Sequence, residues 1–297
     1  MLAIIKKEMR GYFNSWIGYI FLFILVGLVG IFFTLINLYY GSGNFQDALS
    51  NIPIFCLILI PVLTMRLFAE EARQKTDQLL YTSPVSVLGI VLAKFFSAFI
   101  LSFAALLITI IYPLMISSFG TLPASEIFTA YLGYALLMAS FISVGMFVSA
   151  CTENQIIAAV ITFFVMLFMY IMDGIASFIN SNITASSTGS AAGLNSLIFI
   201  IIVMGVFLYL IYDSTKNFYF TGLFGLVLLA IIVGLFVYDT SIFDGLLVKT
   251  VNWFSVMARF SSFGSGILNI ADIVYYITFA GAFIYLTVNA IEKRRWK

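Results

Sequence analysis

Between Lys94 and Glu126 the chain carries no charged residue, and the stretches from Arg10 to Asp47 and from Glu126 to Glu153 are equally free of charge inside. About 20 apolar residues cross the hydrocarbon core of a bilayer as a helix, and each of these stretches exceeds that. The rest of the composition agrees: 63% of residues are hydrophobic and only 9% charged, with a mean hydropathy of +1.12. A soluble domain carries about 25% charged residues, so a soluble two-domain protein is excluded. A transmembrane barrel needs short strands of alternating polarity, whereas the runs here are continuous, as in "ALLITIIYPLMISSF". The expected fold class is an all-α polytopic integral membrane protein.

Apolar runs and their polar punctuation place eight expected spans at about 16–38, 50–67, 94–117, 127–150, 155–179, 195–212, 219–238 and 272–291. The sixth and seventh form either a full hairpin or one that spans incompletely. Residues 1–297 read as one transmembrane domain. Residues 1–15, with Leu2, Ile5, Met9 and Tyr12 on one side and lysines on the other, are expected to lie along the membrane surface as an amphipathic helix. The apolar run that follows is too long for a cleaved signal peptide and reads as an uncleaved signal-anchor.

Basic residues set the orientation. With both termini cytoplasmic, the inner segments hold Lys6, Lys7, Arg10, Arg66, Arg73, Lys75, Lys94, Lys216, Lys293, Arg294, Arg295 and Lys297. Only Lys249 and Arg259, of 14 basic residues, then fall outside. On the outer side, "NSNITASSTGSAAGLNS" reads as a flexible loop. Its Asn182-Ile183-Thr184 fits a glycosylation sequon, a match that chance supplies as readily. Residues 241–271 are expected to hold an outer amphipathic helix, with Phe243, Leu247, Val251, Phe254 and Ala258 on one side and Lys249, Asn252 and Arg259 on the other.

Several chemistries lack their residues. There is no histidine, the commonest general base and metal ligand, and no metal site is expected. Cys56 and Cys151 stand apart and read as small packing hydrophobes. No GxxxxGK[ST] phosphate loop occurs, so the chain has no recognisable ATP site, and no nucleophile–base pair marks an enzyme. A net charge of +1 gives no case for nucleic acid. Asp173 is the one clear carboxylate inside an expected span; it reads as a solvated rim residue or, for an ion-coupled secondary carrier, a proton relay. Lys94 is expected at the cytoplasmic edge of its helix, snorkelling to water. Pro61 and Pro113 are candidate kinks or static bends, and Ala139, Ser143, Gly145 and Ser149 suit close helix contact.

Against this background the segment 66–93 stands out. Arg66 with Glu70, Glu71 with Lys75, and Arg73 with Asp77 are each four apart, the spacing of ion pairs along one helix. Each such pair contributes only about 0.2–0.5 kcal/mol, so stability is a weak reason for this density. A solvated interfacial helix and a docking surface for a soluble partner both fit.

The stretch "MRLFAEEARQKTDQLLYTSPVS" resembles the cytoplasmic motif of ABC-2 type transporter permeases, in which R-x-x-x-E-E leads through G-T-x-E-L-L to T-S-P. Arg66, Glu70, Glu71, Arg73, Thr76, Leu79, Leu80, Thr82, Ser83, Pro84 and Val85 match; Lys75 stands where the family usually has glycine, and Gln78 where it has glutamate. "VSACTENQIIAAV" resembles the family's second cytoplasmic turn, with Thr152, Glu153, Asn154 and Gln155 at its tip, and "YLTVNAIEKRRWK" its last helix and basic end. The gliding-motility-type permeases are the nearest subgroup. The resemblance implies a six-helix core plus an extra helix pair in the inner (plasma) membrane of a bacterial cell. It also implies a separate cytoplasmic ATPase, holding ATP and Mg, that docks on Arg66, Glu70, Glu71, Arg73, Lys75, Thr76, Asp77, Leu79 and Leu80. A second permease chain, identical or paralogous, completes the transporter, with membrane lipids around it. The expected function is the permease subunit of an ABC exporter; a membrane scaffold or mechanical anchor, or an ion-coupled carrier, are the alternatives.

Overall fold

The computed structural model of the chain describes residues 1–76, 85–118, 123–185, 253 and 255–295, and every regular element among them is helical. The protein is an all-α, multi-pass membrane protein. In chain order the elements are α1 (Leu2–Asn14), α2 (Trp16–Phe32) with a π-helical continuation (Phe33–Tyr39), α3 (Phe45–Ser50), α4 (Pro53–Thr64), α5 (Arg66–Gln74), α6 (Val87–Ile108), α7 (Ile111–Ser117), α8 (Ala124–Cys151), α9 (Gln155–Ala185), α10 (Val256–Gly264) and α11 (Ile270–Arg295). Stretches long and apolar enough to cross a membrane are Trp16–Tyr39, Pro53–Gln74, Val87–Ser117, Ala124–Cys151, Gln155–Ile175 and Ile270–Arg294. They coincide with six of the expected spans. The expected spans at 195–212 and 219–238 lie outside the described residues.

The chain groups into two compact units, one of Met1–Tyr170 with Met257–Lys297 and one of Ile171–Val256. The first is built around α8, which packs on α4, α5, α6 and most extensively on α11. Within a bilayer, helix association rests on close packing and hydrogen bonds, because lipid is as apolar as leucine. The residues of α8 follow that rule. A Cβ on Gly145 would collide with Thr64 on α4, and one on Gly133 with Phe263 on α10. Ser140, Ser143 and Ser149 are fully buried on the same helix, so its small residues serve packing within one chain.

Local chemistry explains the element ends. Pro53 opens α4, where its missing N–H is no loss. Pro113 excludes the carbonyl four residues back, and the helix breaks there, at Thr109–Ile110 between α6 and α7. Pro61, by contrast, lies inside a continuous α4. Asn37 donates to the carbonyls of Ser42 (2.8 Å) and Asn44 (3.0 Å), tying the π-helical turn to the start of α3.

Three expectations shift. Ser86 accepts from the Gly89 N–H (3.2 Å) and caps α6, so this helix begins at Val87 and not at Lys94. α9 continues through Ala185, taking in Asn182 and the first residues of the expected flexible loop, since no glycine or proline interrupts it there. In α10 the buried residues are Val256, Phe260 and Phe263, while Ala258 and Arg259, expected on opposite sides, are both half-buried. The stretch from Phe243 to Asn252, with Phe254, lies outside the described residues.

Candidate functional site

The α4–α5 junction sets the geometry of the charged segment. A one-residue break at Met65 leaves the first N–H groups of α5 without helical partners. Ser149, from the far end of α8, supplies them: its hydroxyl accepts from the Phe68 and Ala69 N–H groups (both 3.1 Å) and donates to the Met65 carbonyl (3.0 Å). α5 then buries Leu67, Phe68 and Ala69. Arg73, Gln74 and Lys75 remain exposed on its other side.

The two glutamates of α5 divide. Glu70 takes the expected partner, accepting from Arg66 at 2.6 Å and from Gln74 at 3.3 Å. Glu71 does not pair with Lys75. Its Oε1 meets Lys7 of α1 (2.9 Å) and its Oε2 meets Lys94 of α6 (2.9 Å). Lys75 itself ends α5 in the left-handed region, φ +56°, where glycine is at ease and other residues are strained. That conformation accounts for the glycine usual at this position in the resembling motif. Thr76 follows, its N–H bonded to the Glu71 carbonyl (3.0 Å). The Arg73–Asp77 pair cannot be placed, because Asp77, Leu79 and Leu80 lie outside the described residues.

Lys94 is the unexpected centre. Its side chain is 1% exposed and sits about 10 Å along α6 from Val87, so its ammonium is held by protein acceptors. An ammonium has three donors, and each has an acceptor: Glu8 Oε1 at 2.8 Å, Glu71 Oε2 at 2.9 Å and the Leu67 carbonyl at 2.5 Å. The Phe68 ring lies 5.0 Å away. Glu8 reaches in because α1 turns Ile5, Glu8, Met9 and Tyr12 toward the protein; of the four residues expected on its apolar side only Leu2 is left exposed. Tyr12 donates to the Leu63 carbonyl (3.3 Å); burial, and then the charge of Glu8, push its phenol up and keep it neutral. At Lys7 burial pulls downward, but the bond and charge of Glu71, with the charge of Glu8, outweigh it. The raised pKa makes the Lys7–Glu71 contribution whole below the ordinary value of 10.5 and lost only as pH climbs above it. A cleft of about 610 Å³ lies among α1, α5 and α6, with Ile4, Lys7, Glu8, Arg66, Glu70 and Lys94 in its wall.

The second expected turn sits at the same end of the first unit, next to Ser149. Thr152, Glu153, Asn154 and Gln155 link α8 to α9; Asn154 accepts from the Ile156 N–H (3.0 Å), and Glu153 pairs with Arg294 at the end of α11 (2.6 Å). The N-terminal helix, the charged helix, this turn and the basic C-terminal end therefore gather together. Cys151, at the turn, is exposed, while Cys56 is buried with its sulfur 2.9 Å from the Tyr134 hydroxyl. Asp173 is exposed on α9.

The chain matches the family model described as "ABC-2 family transporter protein" over residues 33–198, more than half its length, a range that includes the first two expected motifs and not the terminal one at 285–297. It belongs to the ABC-2 transporter family. ABC-2 members of this kind form the membrane permease part of a transporter, and the family implies association with ABC ATPase subunits. No curated protein and no solved structure matches the chain.

Sequence reasoning reached α5 and the turn but missed Lys7, Glu8, Lys94 and Ser149 as a set. Two signals were present. Glu8 is the sole acid on a basic N-terminal helix, and Lys94 is the lone charge between Asp77 and Glu126.

Proposed function

We propose that this ABC-2 permease is the transmembrane subunit of an ATP-driven exporter and receives a separate cytoplasmic ATPase on the segment from Arg66 to Leu80. The observation that carries the reading is the division of charge on α5. Glu71 is committed inward to Lys7 and Lys94, while Arg73, Gln74 and Lys75 stay exposed at the end where the basic termini gather. An outward set of long polar side chains on a helix fixed from behind suits a soluble partner, and the turn at Thr152–Gln155 extends the same surface. ATP and Mg belong to that partner, whose dimerisation would move the helix. Two permease chains, identical or paralogous, enclose the path, in the inner membrane of a bacterial cell and nearest in kind to the gliding-motility-type permeases.

Affinity copurification from native membranes tests the reading. The wild-type chain is expected to bring down an ATPase subunit, and Arg73→Glu with Lys75→Glu to weaken its retention roughly tenfold with unchanged membrane insertion. Equal retention by wild type and variant would place the docking surface elsewhere.

A further inference from the structure

We propose that Lys94 is a positioning residue that binds α1, α5 and α6 into one lever, so that a displacement of the charged helix becomes a displacement of a membrane-spanning one. The inference rests on the docking reading of α5 and deepens it, because it names the route by which motion at that helix enters the membrane.

The geometry carries it in three steps. Lys94 belongs to a span that reaches Ser117 by way of α7, yet its ammonium has no bond to α6 itself; its three acceptors come from α1 (Glu8) and α5 (Leu67 and Glu71). The side chain is 1% exposed and all three of its donors are taken, and a buried ammonium stripped of its carboxylates is strongly disfavoured. α5 therefore cannot part from α6 without uncovering that charge. Glu71 closes the arrangement from outside, since its second oxygen is held by Lys7 of α1. The charges balance, two ammonium groups against two carboxylates, and the cluster moves as a unit. Among the described residues, Arg66 and Glu70 bond within α5 and to no other helix, which distinguishes an ordinary helix pair from this cross-linked set.

The experiment uses the permease–ATPase complex in nanodiscs of phosphatidylethanolamine and phosphatidylglycerol, in a Cys151→Ser background. Spin labels at Leu88 on α6 and Tyr285 on α11, both well exposed, report how α6 moves relative to α11. Trapping the complex with ATP and vanadate is expected to shift that distance by roughly 2 Å or more in the otherwise wild-type chain. In Lys94→Met with Glu8→Gln, which removes one charge of each sign and leaves Lys7–Glu71 in place, the ATPase still copurifies and the shift is lost. Lys94→Arg, which retains a cation for both carboxylates, restores it. A shift that persists in the double variant overturns the lever. A bound ATPase whose trapping moves nothing in the wild-type chain overturns the docking reading and the lever together, and failure to copurify any ATPase overturns the docking reading first. A second measurement needs no variant: in the wild-type permease–ATPase complex an amine-reactive reagent is expected to modify Lys6 and Lys7 and to spare Lys94, both before and after trapping. Modification of Lys94 on trapping would show that the cluster opens, and would overturn the proposal even if the double variant does not fold.

Discussion

Each end of the first unit holds a partly or fully buried ion pair, and the two differ in what they join. At one end Lys94 bonds Glu8, 86 positions earlier, and the Leu67 carbonyl, 27 earlier. At the other, Arg259 donates to Asp272 at 3.2 Å across only 13 positions; Asp272 also accepts from Ser262 at 2.8 Å, and the Arg259 guanidinium lies 3.9 Å over the Tyr275 ring. The second cluster fixes one corner, the short connection between α10 and α11, and its members move together whatever it does. The first joins elements that chain connectivity would let drift apart. A local pair therefore secures a shape, whereas a long-range pair couples motions.

The largest expected effect breaks the first cluster. Lys94→Met strands the Glu8 carboxylate and removes one of the two lysines that Glu71 meets, and should lower stability by about 3–5 kcal/mol, read as an earlier denaturation midpoint in detergent. Adding Glu8→Gln should return more than half of the loss, because the stranded charge is gone. A loss below about 1 kcal/mol would rank the cluster with exposed surface pairs. Asp272→Asn tests the other end, with about 1–3 kcal/mol expected. Its hydrogen-exchange signature should stay confined to α10 and the start of α11, and a spread into α5 or α6 would contradict a local corner.

Smaller effects sharpen the same contrast. Ser149→Ala deprives the start of α5 of its cap and should cost about 1–2 kcal/mol, with faster exchange at Phe68 and Ala69; unchanged exchange there would show that the cap is dispensable. Lys75→Gly relieves the left-handed residue at the end of α5 and should raise stability by about 0.5–1 kcal/mol. A decrease would mean that the Lys75 side chain holds a contact of its own.

What was legible follows the range of the forces involved. Uncharged runs between Arg10 and Asp47, or Lys94 and Glu126, specify membrane helices because each such residue meets lipid or another apolar chain on its own account. The Arg66–Glu70 pair was equally legible, since helical spacing alone brings its members together. Glu71 was misjudged by the same logic: Lys75 stands at the right spacing, but the helix ends there in a left-handed turn, and two lysines from other helices lie within reach. Lys94 was misplaced because the start of α6 depends on Ser86 as a cap, a weaker signal than hydropathy. On α10, Ala258 and Arg259 share the half-buried flank because Val256, Phe260 and Phe263 take the inner face.

By itself the sequence determined that this protein crosses a membrane as helices, that its charge collects in one segment, and that this segment has the form found in ABC-2 permeases. Those properties are additive along the chain, residue by residue or turn by turn. Only the tertiary structure decided which charges stay exposed and which face inward. Lys94, Glu8 and Glu71 acquire their meaning from three helices meeting at one point, and no spacing rule along the chain encodes a meeting of that kind.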